Sequence, residues 1–285
     1  MFGLVLANKP EGITSGQLVS KLKRIIKEKT GHTGTLDKAA CGLMILLLGK
    51  ATSLSDLFLH QDKKYIATFS LGLSTDSHDR EGTIVEDKRA AAPGFLIENK
   101  QFIHDWIVAC IHLQEQVPPL YSALKKEGRR FSDLARSGMQ TLPEKRSIKV
   151  YSTGNIQFLN DTDICFEIHV SSGTYIRSFA RDLSLALNFP VYMKSLQRIS
   201  IGEISLFQEN IWNAEQDPVI MNPKNFLHLK EIEVPDSETD HIAKGRIIKF
   251  DANPDEKFFL IDRSGSCLAL CEGIGDTYRY LRVFL

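Results

Sequence analysis

The chain has 285 residues, 43% of them hydrophobic and 25% charged, with 35 basic and 35 acidic side chains. That balance is ordinary for a globular protein able to bury a sizeable core, and it excludes low-complexity and disordered classes. The longest apolar run, Leu43 to Leu48, is far too short to span a bilayer, and no basic leader with an apolar core and cleavage site opens the sequence; no membrane span is expected, and the expected compartment is the cytoplasm.

In chain order, Leu4–Ala7 reads as a short strand and Lys9-Pro10-Glu11-Gly12 as a turn. Thr14 stands three residues before Gln17, the spacing of a capping box. Leu18, Val19, Leu22, Ile25 and Ile26 then follow at helical spacing, with Lys21, Lys23, Arg24, Lys27 and Lys29 over much of the remaining surface; an amphipathic helix with a basic outer side is predicted. GHTGTLDKAACG breaks the pattern and reads as a loop. A buried strand over 43–48 and a helix over about 51–60 come next. Residues 64–72 and 82–86 read as strands around the polar stretch STDSHDREG, and 95–111 as a helix. Residues 124–146 are rich in Lys and Arg. Residues 147–158 and 163–171 read as paired strands, 174–187 as a helix and 191–199 as a strand. From about Val234, short apolar pieces separated by turns (IIKF, KFFLID, CLALCEG, YRYLRVFL) predict a small β-rich module. The expected class is α+β, without the regular alternation of a doubly wound sheet.

Zero net charge hides an asymmetry. Residues 1–208 carry 26 Lys and Arg against 21 Asp and Glu, whereas residues 209–262 carry 6 against 12. The first part could present a basic face to phosphate while the second repels it. Five cysteines, an odd number in a long chain, argue against a disulfide framework. Cys267 and Cys271 have no nearby His or Cys to complete a metal set, so a structural role is expected and no metal.

The stretch from Gly31 to Thr52 is the most informative. Gly31, Gly34 and Gly42 permit positive φ and close approach of a ligand, and the segment hands off directly to a buried strand. Asp37 is its one carboxylate; from residue type alone, a turn or cap role and a catalytic role both stand. No phosphate-loop or dinucleotide spacing is present.

GHTGTLD, followed by Gly42, an apolar strand and GKAT, resembles the catalytic-loop signature of the TruB family of tRNA pseudouridine synthases. Five further segments match that family in order: LANKPEGITS, KKYIATFSLGLSTDSHDREGTIV, VPPLYSALKKEGRRFSDLARSG, SSGTYIRSFARDL and LQRISIG. The resemblance covers about residues 2–208. It implies a pseudouridine synthase fold with a curved, mostly antiparallel central sheet in residues 1–233, including a tRNA-binding insertion at about 95–146. A small β-rich module, PUA-like by analogy, would occupy 234–285.

By the same resemblance, Asp37 would be the essential carboxylate, Tyr65 would stack on the target base and take part in proton transfer, and Arg177 would pair with Asp37. Leu196 would form an apolar wall. Lys9 would support the catalytic loop, and His32 would enter the tRNA T loop to fill the space left by a flipped nucleotide. Asp79 would lie in a loop that orders around tRNA. From their charge, the cluster Lys125, Lys126, Arg129, Arg130 and Arg136 and the basic helix could contact phosphate. The implied activity is isomerisation of uridine 55 in the T loop by a monomer without metal or other cofactor. One departure stands out: Lys38-Ala39-Ala40-Cys41 replaces the family's usual Pro-Leu-Ala-Thr after the catalytic Asp. Loss of proline removes a fixed φ, so a looser loop is expected.

Overall fold

The structure is a computed structural model that describes residues 1–122, 143–248, 256–275 and 277–285, with the backbone alone at 125–126 and 129–130. Strand β1 (Phe2–Lys9) leads through the Pro10 turn into the helix Ser15–Ile26. The expected capping box is formed. Gln17 N–H donates to the Thr14 hydroxyl at 3.1 Å, and Thr14 N–H donates to the Gln17 side-chain oxygen at 2.8 Å. Leu18 and Leu22 are fully buried, while Lys21, Lys23, Arg24, Lys27 and Lys29 are exposed.

Next come β2 (Thr30–His32), β3 (Cys41–Gly49), the short helix Ser55–Leu59, β4 (Lys63–Leu71), β5 (Leu73–Thr75), β6 (Ile84–Asp87) and the helix Ala92–Ala109. Short strands β7 (Glu115–Gln116), β8 (Lys125–Lys126), β9 (Arg129–Arg130) and β10 (Arg146–Ser147) precede β11 (Val150–Phe158) and β12 (Asp163–Val170). The helix Ile176–Leu187, β13 (Val191–Ile201) and β14 (Ile204–Ser205) complete the main body. β15 (Lys230–Glu233), the helix Thr239–Ala243, β16 (Lys257–Ile261), β17 (Cys267–Ile274) and β18 (Thr277–Val283) follow. The longest of these helices is not apolar enough to cross a membrane, and neither is any other among the described residues.

The central sheet runs β1-β3-β13-β4-β12-β11, antiparallel except where β3 meets β13. Its β3 strand is buried on both faces. Met44, Leu46 and Leu48 join the core under the helices, whereas Leu43, Ile45 and Leu47 join a second core shared with Phe259, Leu270 and Phe284 of the C-terminal sheet. Two-sided burial is why this strand reads as one continuous apolar run rather than an alternation. The C-terminal sheet runs β15-β16-β17-β18. The expected boundary at 233/234 falls directly after β15, whose parallel pairing with β16 joins it to that sheet. Cys267 and Cys271 both lie buried on β17, where burial pushes each thiol up to about 12.

Two expected features are corrected. Both ends of the expected loop 31–42 are strand: Gly31 and His32 pair with Leu47 and Leu46 of β3, and Cys41 and Gly42 begin β3 itself. β13 meets β3 only at Cys41 and Gly42, so the far half of that edge holds backbone donors and acceptors that β2 satisfies. Ser74 and Thr75, expected in the polar stretch, are instead in β5, which pairs with β6 beyond a break at Gly72. There φ is +93°, and a Cβ would stand 2.8 Å from both Ala92 Cβ and Arg89 Cα.

Gly42 fixes the crossing of β3 and β13. Its φ is +108°, and a Cβ built there would lie 2.3 Å from the Arg198 carbonyl oxygen and 2.7 Å from the Arg198 nitrogen. Backbone atoms on a sheet strand cannot move aside cheaply. Gly42→Ala is expected to destabilise the fold by roughly 3 kcal/mol, combining left-handed strain with overpacking. A urea midpoint unchanged from the parent would contradict this account of the crossing.

Candidate active site

The segment between β2 and β3 carries Asp37, and the N-terminal turn clamps it on both sides. Ser15, 2% exposed, accepts from Leu36 N–H at 2.9 Å and donates to the Leu36 carbonyl at 3.0 Å. On the other side, the Lys38 carbonyl accepts from Gly12 N–H at 2.9 Å and from Lys9 Nζ at 3.4 Å. Lys9 is fully buried, and its Nζ also donates to the carbonyls of Pro10 at 3.0 Å and Ile13 at 2.7 Å. Burial lowers its pKa, opposed by the neighbouring Cys41, Asp37, Glu81 and Glu11. Ala40 N–H donates to the Asp37 carbonyl at 3.1 Å, which closes a turn with Lys38 at its first corner. Hydrogen bonds from Lys9 and Gly12 hold the corner from which the proline is missing. The Lys38 amine points to Glu81 at 3.8 Å in an exposed pair, a contact worth little.

Arg177 reaches this segment from the first turn of the helix Ile176–Leu187. A cation there faces the positive end of the helix dipole, and nearby carboxylates offset that cost. Its Nε lies 2.9 Å from Asp37 Oδ2, and its Nη1 lies 3.4 Å from Asp79 Oδ2. Nη1 also donates to the Ser77 carbonyl at 3.2 Å and Nη2 to the Tyr121 carbonyl at 3.0 Å. The Arg177 side chain is 6% exposed, while that of Asp37 is 42% exposed. One oxygen of Asp37 is thus aimed by a rigid cation while the carboxylate still opens to solvent. Charge-assisted pairs of this kind are short and directional.

Asp37, Tyr65, Arg177 and Leu196 line one cavity of about 280 Å³, together with Lys63, Tyr121, Tyr175 and Arg198. That is near the lower end of the range for small-molecule sites, about 300–1,000 Å³. Tyr65 on β4 stands opposite Arg198 on β13, and Leu196 stands opposite Ala67. Arg198 is 2% exposed; its Nε donates to the Leu43 carbonyl at 2.7 Å and its Nη2 to the Gly34 carbonyl at 3.2 Å.

Other expected site residues fall elsewhere. Lys9 lies beneath the Asp37 segment rather than in the cavity wall. His32 ends β2, half-buried, and Gly34 N–H approaches its Nδ1 at 3.4 Å. Burial and the Arg198 charge lower its pKa, so the ring is neutral near pH 7. Asp79 faces inward, 4% exposed. Its carboxylate accepts from Ser77 Oγ at 2.6 Å and Glu81 N–H at 3.0 Å besides pairing with Arg177. Burial next to a guanidinium is the reason: the charge is satisfied inside. β8 and β9 pair as a short hairpin through Lys125, Lys126, Arg129 and Arg130. The side chains of Lys125, Arg129 and Arg130 lie outside the described residues.

Sequence reasoning missed Ser15, Lys63 and Arg198. A charged residue between Leu196 and Ile201, inside a strand that must be buried, was a readable signal for Arg198, because a buried charge needs a purpose. Ser15 carried no such signal.

Fold and site together define an α+β enzyme with a carboxylate held at the wall of a small cavity. A family model described as TruB family pseudouridylate synthase (N terminal domain) matches residues 23–176. A tRNA pseudouridine synthase B from Leptospira interrogans is 39% identical, covering 99% of this chain and 94% of that protein. One from Borrelia garinii is 31% identical, covering 99% of each. Among solved structures, a chain of a Cbf5-Nop10-Gar1 complex superposes with a TM-score of 0.69 at 22% identity, covering 100% of this chain and 85% of that one. A chain of an H/ACA RNP bound to a substrate RNA containing 2'-deoxyuridine gives 0.67 at 20% identity, with the same coverage. The chain belongs to the TruB family of pseudouridylate synthases, and its fold is the pseudouridine synthase fold.

Proposed function

We propose that the chain isomerises uridine 55 in the T loop of tRNA to pseudouridine, acting as a monomer without metal or other cofactor. The observation that carries this reading is the Asp37 carboxylate, fixed by Arg177 at 2.9 Å at the wall of a cavity that also holds Tyr65 and Leu196. The reaction breaks the C1′–N1 bond and joins C1′ to C5. The C5 proton is lost and N1 gains one, so nothing is oxidised and no group leaves the RNA. It needs a carboxylate to take up or stabilise the sugar carbon, a shielded pocket and a hold on the cut base. Asp37 supplies the first, Leu196 and the buried strand faces the second, and stacking on Tyr65 the third.

The base must leave the T-loop stack to reach the cavity, at a cost of a few kcal/mol. In this reading His32 fills the gap, and its neutral ring makes that insertion cheaper. Lys9 holds the Asp37 segment in register. Lys125, Arg129 and Arg130, with the exposed basic side of the helix Ser15–Ile26, take the phosphates. Asp79 acts by keeping Arg177 in place.

Mixing purified protein with an unmodified tRNA transcript, free of guide RNA and accessory proteins, tests the reading. Pseudouridine at the T-loop uridine is expected. Tight tRNA binding without product would replace it with a noncatalytic RNA-binding role, and product only with a guide RNA would replace it with an RNA-guided one.

A further inference from the structure

The cavity carries more positive charge than the Asp37 and Arg177 pair uses. Arg177 is matched by two carboxylates, Asp37 and Asp79. Lys63 and Arg198 line the same cavity. They are 5% and 2% exposed, and neither has an ion pair among the described residues within 4.0 Å. Both are held by backbone carbonyls instead. Lys63 Nζ donates to the carbonyl of Leu59 at 2.6 Å and to that of Gln61, and Arg198 donates to those of Leu43 and Gly34.

Carbonyl dipoles orient a cation without neutralising it, and a bare buried cation is costly. Two such charges side by side also repel; Arg198 lowers the pKa of Lys63 and adds to the effect of burial. A fold that only needed filling at these positions would be more stable with apolar side chains. Their register explains how they meet. Lys63 and Tyr65 are two apart on β4 and share a face, and Arg198 stands opposite Tyr65 on β13.

We propose that Lys63 and Arg198 are the charge-stabilising floor of the uracil site, holding the negative charge of a base cut from its ribose until C5 rejoins C1′. This deepens the pseudouridine reading and rests on it. The C1′–N1 bond breaks with its electron pair on the ring, and a bond from C1′ to an Asp37 oxygen replaces it. The free uracil is then an anion beside two cations. C5 displaces the carboxylate from C1′, the C5 proton leaves, and N1 takes one up. Fixed charges at the place where charge develops are an effective form of transition-state stabilisation. The same floor disfavours a protonated or cationic base.

The test is single-turnover conversion of a T-stem-loop RNA by saturating enzyme across pH 6 to 10. Lys63→Met is expected to slow conversion about 100-fold, the scale of losing one preorganised charge-stabilising donor, while RNA affinity stays near that of wild type. Lys63→Arg keeps the charge and should restore most of the rate. The groups facing Lys63 are Arg198 on β13, Tyr65 on its own strand, Asp62 paired with His169, and Asp37 with Arg177 across the cavity. Burial and Arg198 lower the Lys63 pKa to about 8. The amine therefore loses its charge as pH rises through that value, and the wild-type rate should fall there. Lys63→Arg should lack that fall.

Arg198→Lys, which keeps a cation if Arg198→Met fails to fold, should retain more rate than Arg198→Met. Lys63→Met with near wild-type rate, or an unchanged alkaline fall in Lys63→Arg, would overturn the inference alone. A wild-type chain that converts no RNA would overturn the inference together with the function beneath it.

Discussion

Asp37→Asn should leave a protein that folds, binds tRNA and makes no pseudouridine. Asparagine keeps the size and one acceptor of the carboxylate but loses the charge and the nucleophilic oxygen. If Asp37 takes up or stabilises the sugar carbon, the rate should drop roughly 10⁴-fold or more, the scale seen when one member of a nucleophilic catalytic set is disabled. Stability should barely move. The Asp37 side chain is 42% exposed, and Arg177 keeps Asp79 and the carbonyls of Ser77 and Tyr121. Half-exposed pairs contribute little, about 0–1 kcal/mol. The informative comparison is therefore pseudouridine yield beside the melting temperature and the tRNA dissociation constant of the same sample. Retained activity would remove Asp37 from the chemistry. Lost activity with a collapsed melting temperature would show that the carboxylate acts on the fold.

Arg177→Met should fail in both respects at once. The Arg177 guanidinium contacts four groups, and one of them, Asp79, is only 4% exposed. Removing the cation leaves that buried carboxylate with only the neutral donors Ser77 Oγ and Glu81 N–H, and takes a donor from the carbonyls of Ser77 and Tyr121. Breaking a buried pair from one side costs about 3–5 kcal/mol. The catalytic oxygen loses its aim as well, so residual protein should be inactive. Arg177→Met combined with Asp79→Asn separates the two effects, because a neutral amide tolerates burial better than an unpaired charge. The double variant should recover part of the melting temperature and none of the activity. Equal melting temperatures for the single and double variants would show that Asp79 does not depend on Arg177. Arg177→Lys should resemble the Met variant in rate, since one ammonium cannot span two carboxylates and two carbonyls.

The two variants probe different levels of one device. The first turn of a helix presents a cation that its own dipole disfavours, and two segments distant in sequence bring the carboxylates that satisfy it. One carboxylate is buried and structural; the other opens toward the cavity. The acidic stretch after residue 208 stays away from this arrangement. Its first part instead covers the free edge of β1, through bonds between Leu4 and Met221 and between Leu6 and Trp212. That protects an otherwise open strand.

Much of this was present in the residues alone. Thr14 and Gln17 specify their helix start locally, since both bonds of the capping box join residues three apart. The apolar run 43–48 announced a strand buried on both faces. Motif order, through family resemblance, named Asp37, Tyr65, Arg177 and Leu196, which the structure brings to one cavity.

What only the tertiary structure decided is where long-range pairing determines the outcome. Whether residues 30–32 form a strand depends on how far β13 covers β3, and those segments are more than 100 residues apart. Whether Asp79 faces solvent or core depends on Arg177, which local pattern cannot see. The corner at Lys38 is held from a distance, by Lys9 and Gly12 reaching its carbonyl. Local preference is set by neighbours a few residues away, whereas burial of a charge is set by whatever the fold places against it. The Lys63 and Arg198 floor belongs wholly to the second kind: two ordinary cations on separate strands that become a site only when the sheet closes over them.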